Sequence, residues 1–231
     1  MKRVYQSVSV EPVEGGFEIR LDGRPVRTPE RAALVVPSRA LADAIRTEWD
    51  AQQKEVRPAT MPLTQLACTA LDRTGPQRAA IVDGVLAYAG TDLLCYRADR
   101  PPALVARQAE IWQPLLDWLA LRHDALLLVA TGIIAVEQPP EALAALRNAV
   151  SGLDAWQLAG LQDAVASSGS LVVALALLEG EVDAAGAFAA AELDATFQIE
   201  QWGEDAEAAQ RRRVLRADLA ATERFLQLLK Q

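Results

Sequence analysis

The first third of the chain alternates between apolar and polar positions with a period of two. This alternation is typical of strands that bury one face, and turn residues separate the apolar runs. Gly15-Gly16 and Asp22-Gly23 lie between successive runs, and Asp-Gly readily adopts the positive φ angles of a tight hairpin turn. The alternating positions are Val8, Val10, Phe17, Ile19, Leu21, Val26, Thr28, Leu34 and Val36. The pattern predicts an antiparallel meander.

A helical spacing replaces the alternation over residues 39–53. Leu41, Ile45 and Trp49 recur along one face of this predicted helix, and a serine precedes it in a capping position. An indole on the buried face of a helix is a core residue, so we expect a structural role for Trp49. Residues 57–72 are left unassigned because a Met-Pro step interrupts their apolar pattern.

From about residue 78 onward the period is helical, and alanine and leucine become dense. Proline pairs, aspartate caps and glycine stops divide this part into successive helices. They are predicted after Pro101-Pro102 (with a kink or a new start at Pro114), after Pro139-Pro140, after Asp154, over residues 171–178, over residues 183–201 and over residues 204–230. We therefore expect an α+β protein: a small N-terminal antiparallel β-rich domain with one helix, residues 1–77, followed by a larger, mostly α-helical domain, residues 78–231.

Composition and charge narrow the class of protein. With 51% hydrophobic and 23% charged residues over 231 positions, the chain is a typical globular protein. Its net charge of −8 has the wrong sign for a protein that binds a phosphate backbone, so nucleic acid is not expected as a partner. No signal peptide is recognised, and the longest apolar stretch, residues 171–178, is far shorter than the ~20 residues that cross a bilayer. We expect a soluble protein without stable membrane insertion.

The sequence carries no familiar catalytic or metal-binding signature. Phosphate-binding loops, nucleophile elbows and zinc-protease motifs are all absent from it. The only histidine, His123, ends a predicted helix, where a capping or surface role is favoured over catalysis. Cys68 and Cys95 lack metal-ligand spacing and are expected to be buried thiols, with a disulfide between them left open. We expect no catalytic residue, no metal and no cofactor.

One segment near the end of the chain has the composition of a recognition surface. On a helix, Asp194, Gln198 and Gln201 lie together at spacings of four and three, and Trp202 follows at the helix exit. A carboxylate, two amides and an indole are groups that partner surfaces commonly use. The alternative is an ordinary amphipathic helix whose Phe197 and Trp202 belong to the core.

Seven sequence blocks, taken together and in order, resemble those of the assembly chaperone of the F-type ATP synthase that attends the alpha subunit. The similarity runs from Tyr5 to about Ala208, over GGFEIRLDGRPVRTP, VPSRALADAIRTEWDAQ, TMPLTQLACTALD, TDLLCYRADRP, WQPLLDW, AWQLAGLQ and FQIEQWGEDAEA. The resemblance implies a non-enzymatic protein with a β-rich N-terminal and a helical C-terminal domain. It also implies that the protein binds newly made alpha subunit, shields the apolar surface that later meets the beta subunit, and releases its client without ATP.

The resemblance further assigns roles to individual residues. The acidic residue that precedes the Phe-Gln step in the family falls on Asp194, and Gln198, Trp202 and Gly203 match the same block. The expected partner-binding residues are Asp194, Gln198, Gln201, Trp202 and Glu204, and structural roles are expected for Trp49 and for Gly203, which follows the helix end. We expect a monomer in the bacterial cytoplasm, and a mitochondrial location for eukaryotic relatives.

Two other classes of function stay open at this point. A small-molecule enzyme or binding domain would use a cleft between the β-rich and helical parts, with convergent polar groups and shifted pKa values. A structural helical adaptor would bind some other partner. An exposed apolar patch near Asp194 and Trp202 would favour the chaperone over the enzyme, whereas only binding separates the chaperone from the adaptor.

Overall fold

In a computed structural model, which describes residues 2–132 and 136–231, the chain forms two compact units. The first comprises Met1–Arg78, Asp154–Gly160 and Ala221–Gln231, and the second comprises Ala79–Leu153 and Leu161–Ala220. The expected α+β class is confirmed, because a small N-terminal antiparallel sheet precedes a predominantly helical region. The division of the chain at residues 77 and 78 stays a prediction.

The N-terminal sheet consists of β1 (Val8–Val13), β2 (Gly16–Leu21), β3 (Arg24–Pro25) and β4 (Val35–Val36). All three partners of β2 run antiparallel to it. The Asp22-Gly23 turn has positive φ at both residues, as the sequence predicts. A side chain on Gly16 would collide with the carbonyl of Val36, so the close approach of β2 and β4 requires glycine. β3 and β4 are shorter than the alternation over residues 26–36 suggests.

Two helices pack in the first unit after the sheet. They are α1 (Arg39–Asp50) and α2 (Pro62–Thr69), with a 3₁₀ turn at Pro58–Thr60 before α2 and a π-helical turn at Ala70–Thr74 after it. The Ser38 hydroxyl caps α1 by accepting a hydrogen bond from the Leu41 N–H, as predicted. The Glu48 carboxylate accepts hydrogen bonds from the N–H groups of Leu63 and Thr64, each at 2.8 Å, and so satisfies free amides in the first turn of α2.

The first unit also contains parts of two later helices, α6 (Ala155–Ser168) and α10 (Ala206–Leu229). Phe225 is fully buried, and its ring lies 6.4 Å from that of Trp156. Gly160 faces Leu226 so closely that any larger residue would meet the leucine side chain. Residues from three separate parts of the sequence therefore complete this unit.

The second unit is helical apart from two short parallel strands, β5 (Tyr96–Arg97) and β6 (Ala130–Thr131). Its other helices are α3 (Arg78–Ala87), α4 (Pro102–His123), α5 (Pro140–Ser151), α7 (Leu171–Glu179), α8 (Ala184–Ala191) and α9 (Leu193–Trp202). As the sequence predicts, α7 is apolar on all sides and is buried from Leu171 to Leu178. Pro114 starts no new helix, because α4 continues through it.

The single helix predicted over residues 183–201 is wrong, because the chain forms α8 and α9 with a break at Glu192. Glu192 has φ −106° and ψ 19°, outside the helical region. Its carboxylate is buried and is held by Arg211 and Arg212 of α10. Since these arginines lie 19 and 20 residues away, the hydrophobic period carries no sign of the interaction.

Candidate partner-binding surface

The helix α9 is amphipathic, and its apolar face packs into the second unit. Leu193 and Phe197 are buried, whereas Gln198 and Gln201 are exposed. The helix ends because Gly203 takes a φ of +85°, with its N–H still bonded to the Ile199 carbonyl at 2.8 Å. This left-handed residue is what the sequence predicts at the helix end, although the structural role assigned to Gly203 stays a prediction.

Trp202, the last residue of α9, is exposed to solvent over 80% of its surface. The interpretation of α9 as a helix with both aromatic residues in the core is therefore wrong for Trp202, although it holds for Phe197. Soluble proteins rarely leave an indole of this size uncovered, and exposed apolar groups ringed by polar ones mark interaction sites. The exposure favours a partner-binding role for Trp202, which stays a prediction.

Trp202 lines an open groove of about 290 Å³ between α9 and the start of α10. Gln198 and Glu204 also line it, so three of the five predicted binding residues share one concave surface. Glu204 lies in the connection to α10, which begins at Ala206 with Asp205 as its cap. Asp194 and Gln201 are not among the residues that line the groove.

Asp194 lies in the first turn of α9 and is half-buried. Its Oδ1 accepts a hydrogen bond of 2.8 Å from Nε2 of Gln108, a buried residue of α4. The structure therefore places Asp194 where α9 meets α4, with its carboxylate only partly available to a partner. Gln198, one turn further along α9, is exposed.

A cluster of charged residues holds α10 against the break between α8 and α9. Arg212 donates hydrogen bonds to Glu192 and Thr196 at 2.8 and 3.0 Å and forms an ion pair with Glu204 at 3.1 Å. Its guanidinium lies 5.1 Å from the centre of the Phe188 ring. Charge-assisted hydrogen bonds of this kind are strong and directional. The sequence analysis does not identify the role of Glu192, because Arg211 and Arg212 are 19 and 20 residues away.

Two further residues that the sequence singles out, Trp49 and His123, belong to the helices α1 and α4. Trp49 is 8% exposed, and its carbonyl accepts a 2.7 Å hydrogen bond from the Tyr5 hydroxyl. Its structural role stays a prediction, and its position on the buried face of α1 supports it. His123 ends α4, with Nε2 2.8 Å from a carboxylate oxygen of Glu179.

Both cysteines are free thiols, so the possible disulfide does not form. Burial raises the pKa of Cys68 to about 11 and that of Cys95 to about 12. Since the thiolate is the reactive form, neither residue is an activated nucleophile near pH 7.

Asp92 is the most deeply buried carboxyl group with a displaced pKa. Burial raises its pKa, although the Ser170 hydroxyl and the N–H groups of Val172 and Leu94 donate hydrogen bonds to it. These donors lie at the start of α7 and in the 3₁₀ turn Leu93–Cys95, so the carboxyl group anchors the backbone of both elements. The pKa displacement reflects this structural position.

The described residues contain no group of three or more His, Cys, Asp or Glu side chains that could hold a metal ion. Within residues 2–132 and 136–231, no helix has both the length and the apolar character needed to span a membrane.

Comparison with known proteins identifies the family. Residues 2–120, more than half of the chain, match the family described as ATP12 chaperone protein. The mitochondrial protein atp12 of Schizosaccharomyces pombe is 28% identical over 214 residues, covering 87% of this chain and 74% of its own. The mitochondrial ATP12 of Saccharomyces cerevisiae is 25% identical, covering 88% and 76%.

The fold agrees with this assignment. The crystal structure of Atp12 from Paracoccus denitrificans superimposes with a TM-score of 0.94 at 43% identity, covering 99% of this chain and 98% of that chain. The resemblance found in the seven sequence blocks is therefore confirmed. The chain belongs to the ATP12 family of ATP synthase assembly chaperones, which are not enzymes.

Proposed function

We propose that this protein binds newly made alpha subunit of the F-type ATP synthase, and that α9 and its exit form the binding surface. The observation that carries the proposal is the exposed indole of Trp202, at the edge of a groove whose polar lining consists of amide, carboxylate and guanidinium side chains. Burying an indole stabilises a complex by up to about 4 kcal/mol, which is the size of an interface hot spot.

The proposed mechanism is the shielding of an apolar surface. A subunit that awaits its neighbour exposes a face normally buried in the assembled head, and such a face aggregates unless it is covered. The chaperone covers this face more weakly than the beta subunit does, so the beta subunit displaces it by mass action and no ATP is consumed. The net charge of −8 keeps the chaperone soluble in its free form.

The proposal includes a monomeric chaperone that works where the subunits are made. In bacteria this compartment is the cytoplasm. The two yeast relatives are mitochondrial proteins, which supports the mitochondrial location for eukaryotic members.

The first test is capture of freshly synthesised alpha and beta subunits, offered separately. We expect the protein to capture alpha and not beta, and to lose alpha when beta is added. Capture of neither subunit by the folded protein would contradict the proposed partner, and capture of another protein alone would support the adaptor hypothesis.

The binding surface is tested by Trp202→Ala. This change should weaken alpha capture at least about tenfold, because it removes a hot-spot side chain. The matched control is Leu121→Ala, since Leu121 is 89% exposed on α4 and is no part of the proposed surface. Equal loss of capture in both variants, or none in Trp202→Ala, would contradict the assignment.

A further inference from the structure

The side chain of Gln108 makes two hydrogen bonds from a position that is only 1% exposed. Its Oε1 accepts a hydrogen bond from the N–H of Ala98 at 2.9 Å, and its Nε2 donates one to Oδ1 of Asp194 at 2.8 Å. The residue thus links the segment before α4 to the first turn of α9. Nothing in the sequence pattern indicates this link, because Gln108 and Asp194 are 86 residues apart.

The two bonds fix which end of the amide faces Asp194. The backbone N–H of Ala98 is a donor only, so the Gln108 side chain must turn its oxygen towards it. The amide NH₂ must then face Asp194, and this group requires an acceptor. Residue 194 must therefore present an acceptor, here a carboxylate oxygen, to Gln108 of α4.

The surroundings of this pair hold α9 in place. Arg107 pairs with Glu200 at 2.8 Å, and its guanidinium lies 5.4 Å from the centre of the Phe197 ring. The indole N–H of Trp112 donates a hydrogen bond of 2.9 Å to the carbonyl of Ala190. With α4 bonded to residues on both sides of position 194, the Asp194 carboxylate has little freedom to turn.

Within the described residues, Oδ1 of Asp194 is bonded to Gln108, whereas Oδ2 has no hydrogen-bond partner. A half-buried carboxylate oxygen without a partner is a strong acceptor for an incoming donor. The half-buried Asp194 is therefore oriented, with Oδ1 held by Gln108 and Oδ2 left without a hydrogen-bond partner.

We infer that Gln108 is a positioning residue, which holds Oδ1 of Asp194 so that Oδ2 accepts a hydrogen bond from a donor group of the bound subunit. The inference rests on the proposed function, since it concerns the same surface. It adds a buried residue that touches no partner, and it states the chemistry of the partner group that Asp194 meets.

The first variant is Asp194→Asn, which keeps the shape of the side chain. The asparagine must turn its oxygen to Nε2 of Gln108, and it then presents an NH₂ group to the partner's donor. We expect alpha binding to weaken at least about tenfold, as in Asp194→Ala, because a charged hydrogen bond is replaced by two facing donors. Wild-type affinity in Asp194→Asn would overturn the inference.

The second variant combines Asp194→Asn with Gln108→Met. Methionine has a similar length and donates no hydrogen bond, so the asparagine can now turn its oxygen to the partner. We expect the double variant to bind alpha at least about threefold more tightly than Asp194→Asn alone. Gln108→Met alone should bind alpha more weakly than the wild type does. If Gln108 only stabilised the fold, the double variant would bind alpha more weakly than Asp194→Asn alone. That result would contradict the positioning role.

Gln113→Met is the matched control, because Gln113 is an exposed glutamine of α4 that bonds to Asp117 at 2.8 Å and to Arg97 at 3.4 Å, and not to Asp194. It should leave alpha binding and the effect of Asp194→Asn unchanged. If Gln108→Met does not fold, the comparison of Asp194→Asn with Asp194→Ala decides the question. Failure of the wild type to bind alpha contradicts the proposed function, whereas wild-type binding that Asp194→Asn leaves intact contradicts only this inference.

Discussion

Trp49 and Trp202 both end an apolar pattern along a helix, yet their environments are opposite. Trp49 is buried against Tyr5, with ring centroids 5.8 Å apart, whereas Trp202 is exposed. Spacing alone does not distinguish them, because a helical period states which residues share a face but not whether another element covers that face. For Trp202, the resemblance of the surrounding block to the family supplied the information that the period lacks.

The difference predicts the outcome of placing a charge at each position. Trp49→Arg should lower the free energy of unfolding by about 3–5 kcal/mol, because it removes a packed indole and buries an unpaired guanidinium. Urea unfolding measures this change. Trp202→Arg is the matched control and should change stability by less than about 1 kcal/mol, since the side chain is solvated. Similar losses in both variants would contradict the burial of Trp49.

At the scale of elements, the sequence predicts the turns, caps and buried helices that depend on neighbouring residues. The Asp-Gly turn, the cap of α1 and the all-round burial of α7 follow from neighbouring residues, and the structure has all three. The break at Glu192 and the bond between Gln108 and Asp194 depend on residues that are distant in sequence. The sequence therefore predicts a helix that carries the candidate residues, but it does not predict the long-range interactions that hold α9, and the partner-binding role of this helix stays a prediction.

The turn between β2 and β3 predicts a pH dependence of stability. Hydrogen bonds from the N–H groups of Ser7 and Gln6 lower the pKa of the Asp22 carboxyl group. Because the folded-state pKa lies below the unfolded one, the ionised carboxylate stabilises the fold above about pH 4, and this contribution is lost as the pH falls through the folded-state pKa. Asp22→Asn should thus lose less stability between pH 6 and about pH 3 than the wild type does.

Asparagine tolerates the φ of 48° at position 22, so the variant changes the charge and keeps the turn. Urea midpoints at both pH values give the comparison. Asp99→Asn, an exposed aspartate whose nearest cation is the neighbouring Arg100 at 3.9 Å, is the control and should follow the wild type. An acid response of Asp22→Asn equal to that of the wild type would contradict the prediction.

At the scale of the molecule, the unit that contains the N-terminal sheet also contains residues 154–160 and 221–231. Phe225 and Leu226 are the buried apolar residues that this last segment contributes. The predicted boundary at residues 77 and 78 reflects the change of hydrophobic period, which indicates whether a segment forms strands or helices. Hydrophobic period does not report which segments share a core.

Removing the last part of α10 should therefore destabilise the N-terminal unit. A chain that ends at residue 220 loses Phe225 and Leu226, each worth about 2–5 kcal/mol in a buried site, and together comparable with the stability of a whole domain. Urea unfolding and near-ultraviolet circular dichroism measure the loss. A chain that ends at residue 229 removes only two exposed residues and should keep wild-type stability. Equal stability of both truncations would contradict the shared core.

The same arrangement limits how early the N-terminal unit can be completed during synthesis. Domains generally fold as they leave the ribosome, those nearest the N-terminus first. Here the sheet emerges first, but the residues that complete its unit are the last eleven of the chain, Ala221–Gln231. The second unit ends at Ala220, so its residues are all translated before the first unit is complete. The N-terminal sheet of this assembly chaperone therefore cannot complete its unit before residues 221–231 have been translated.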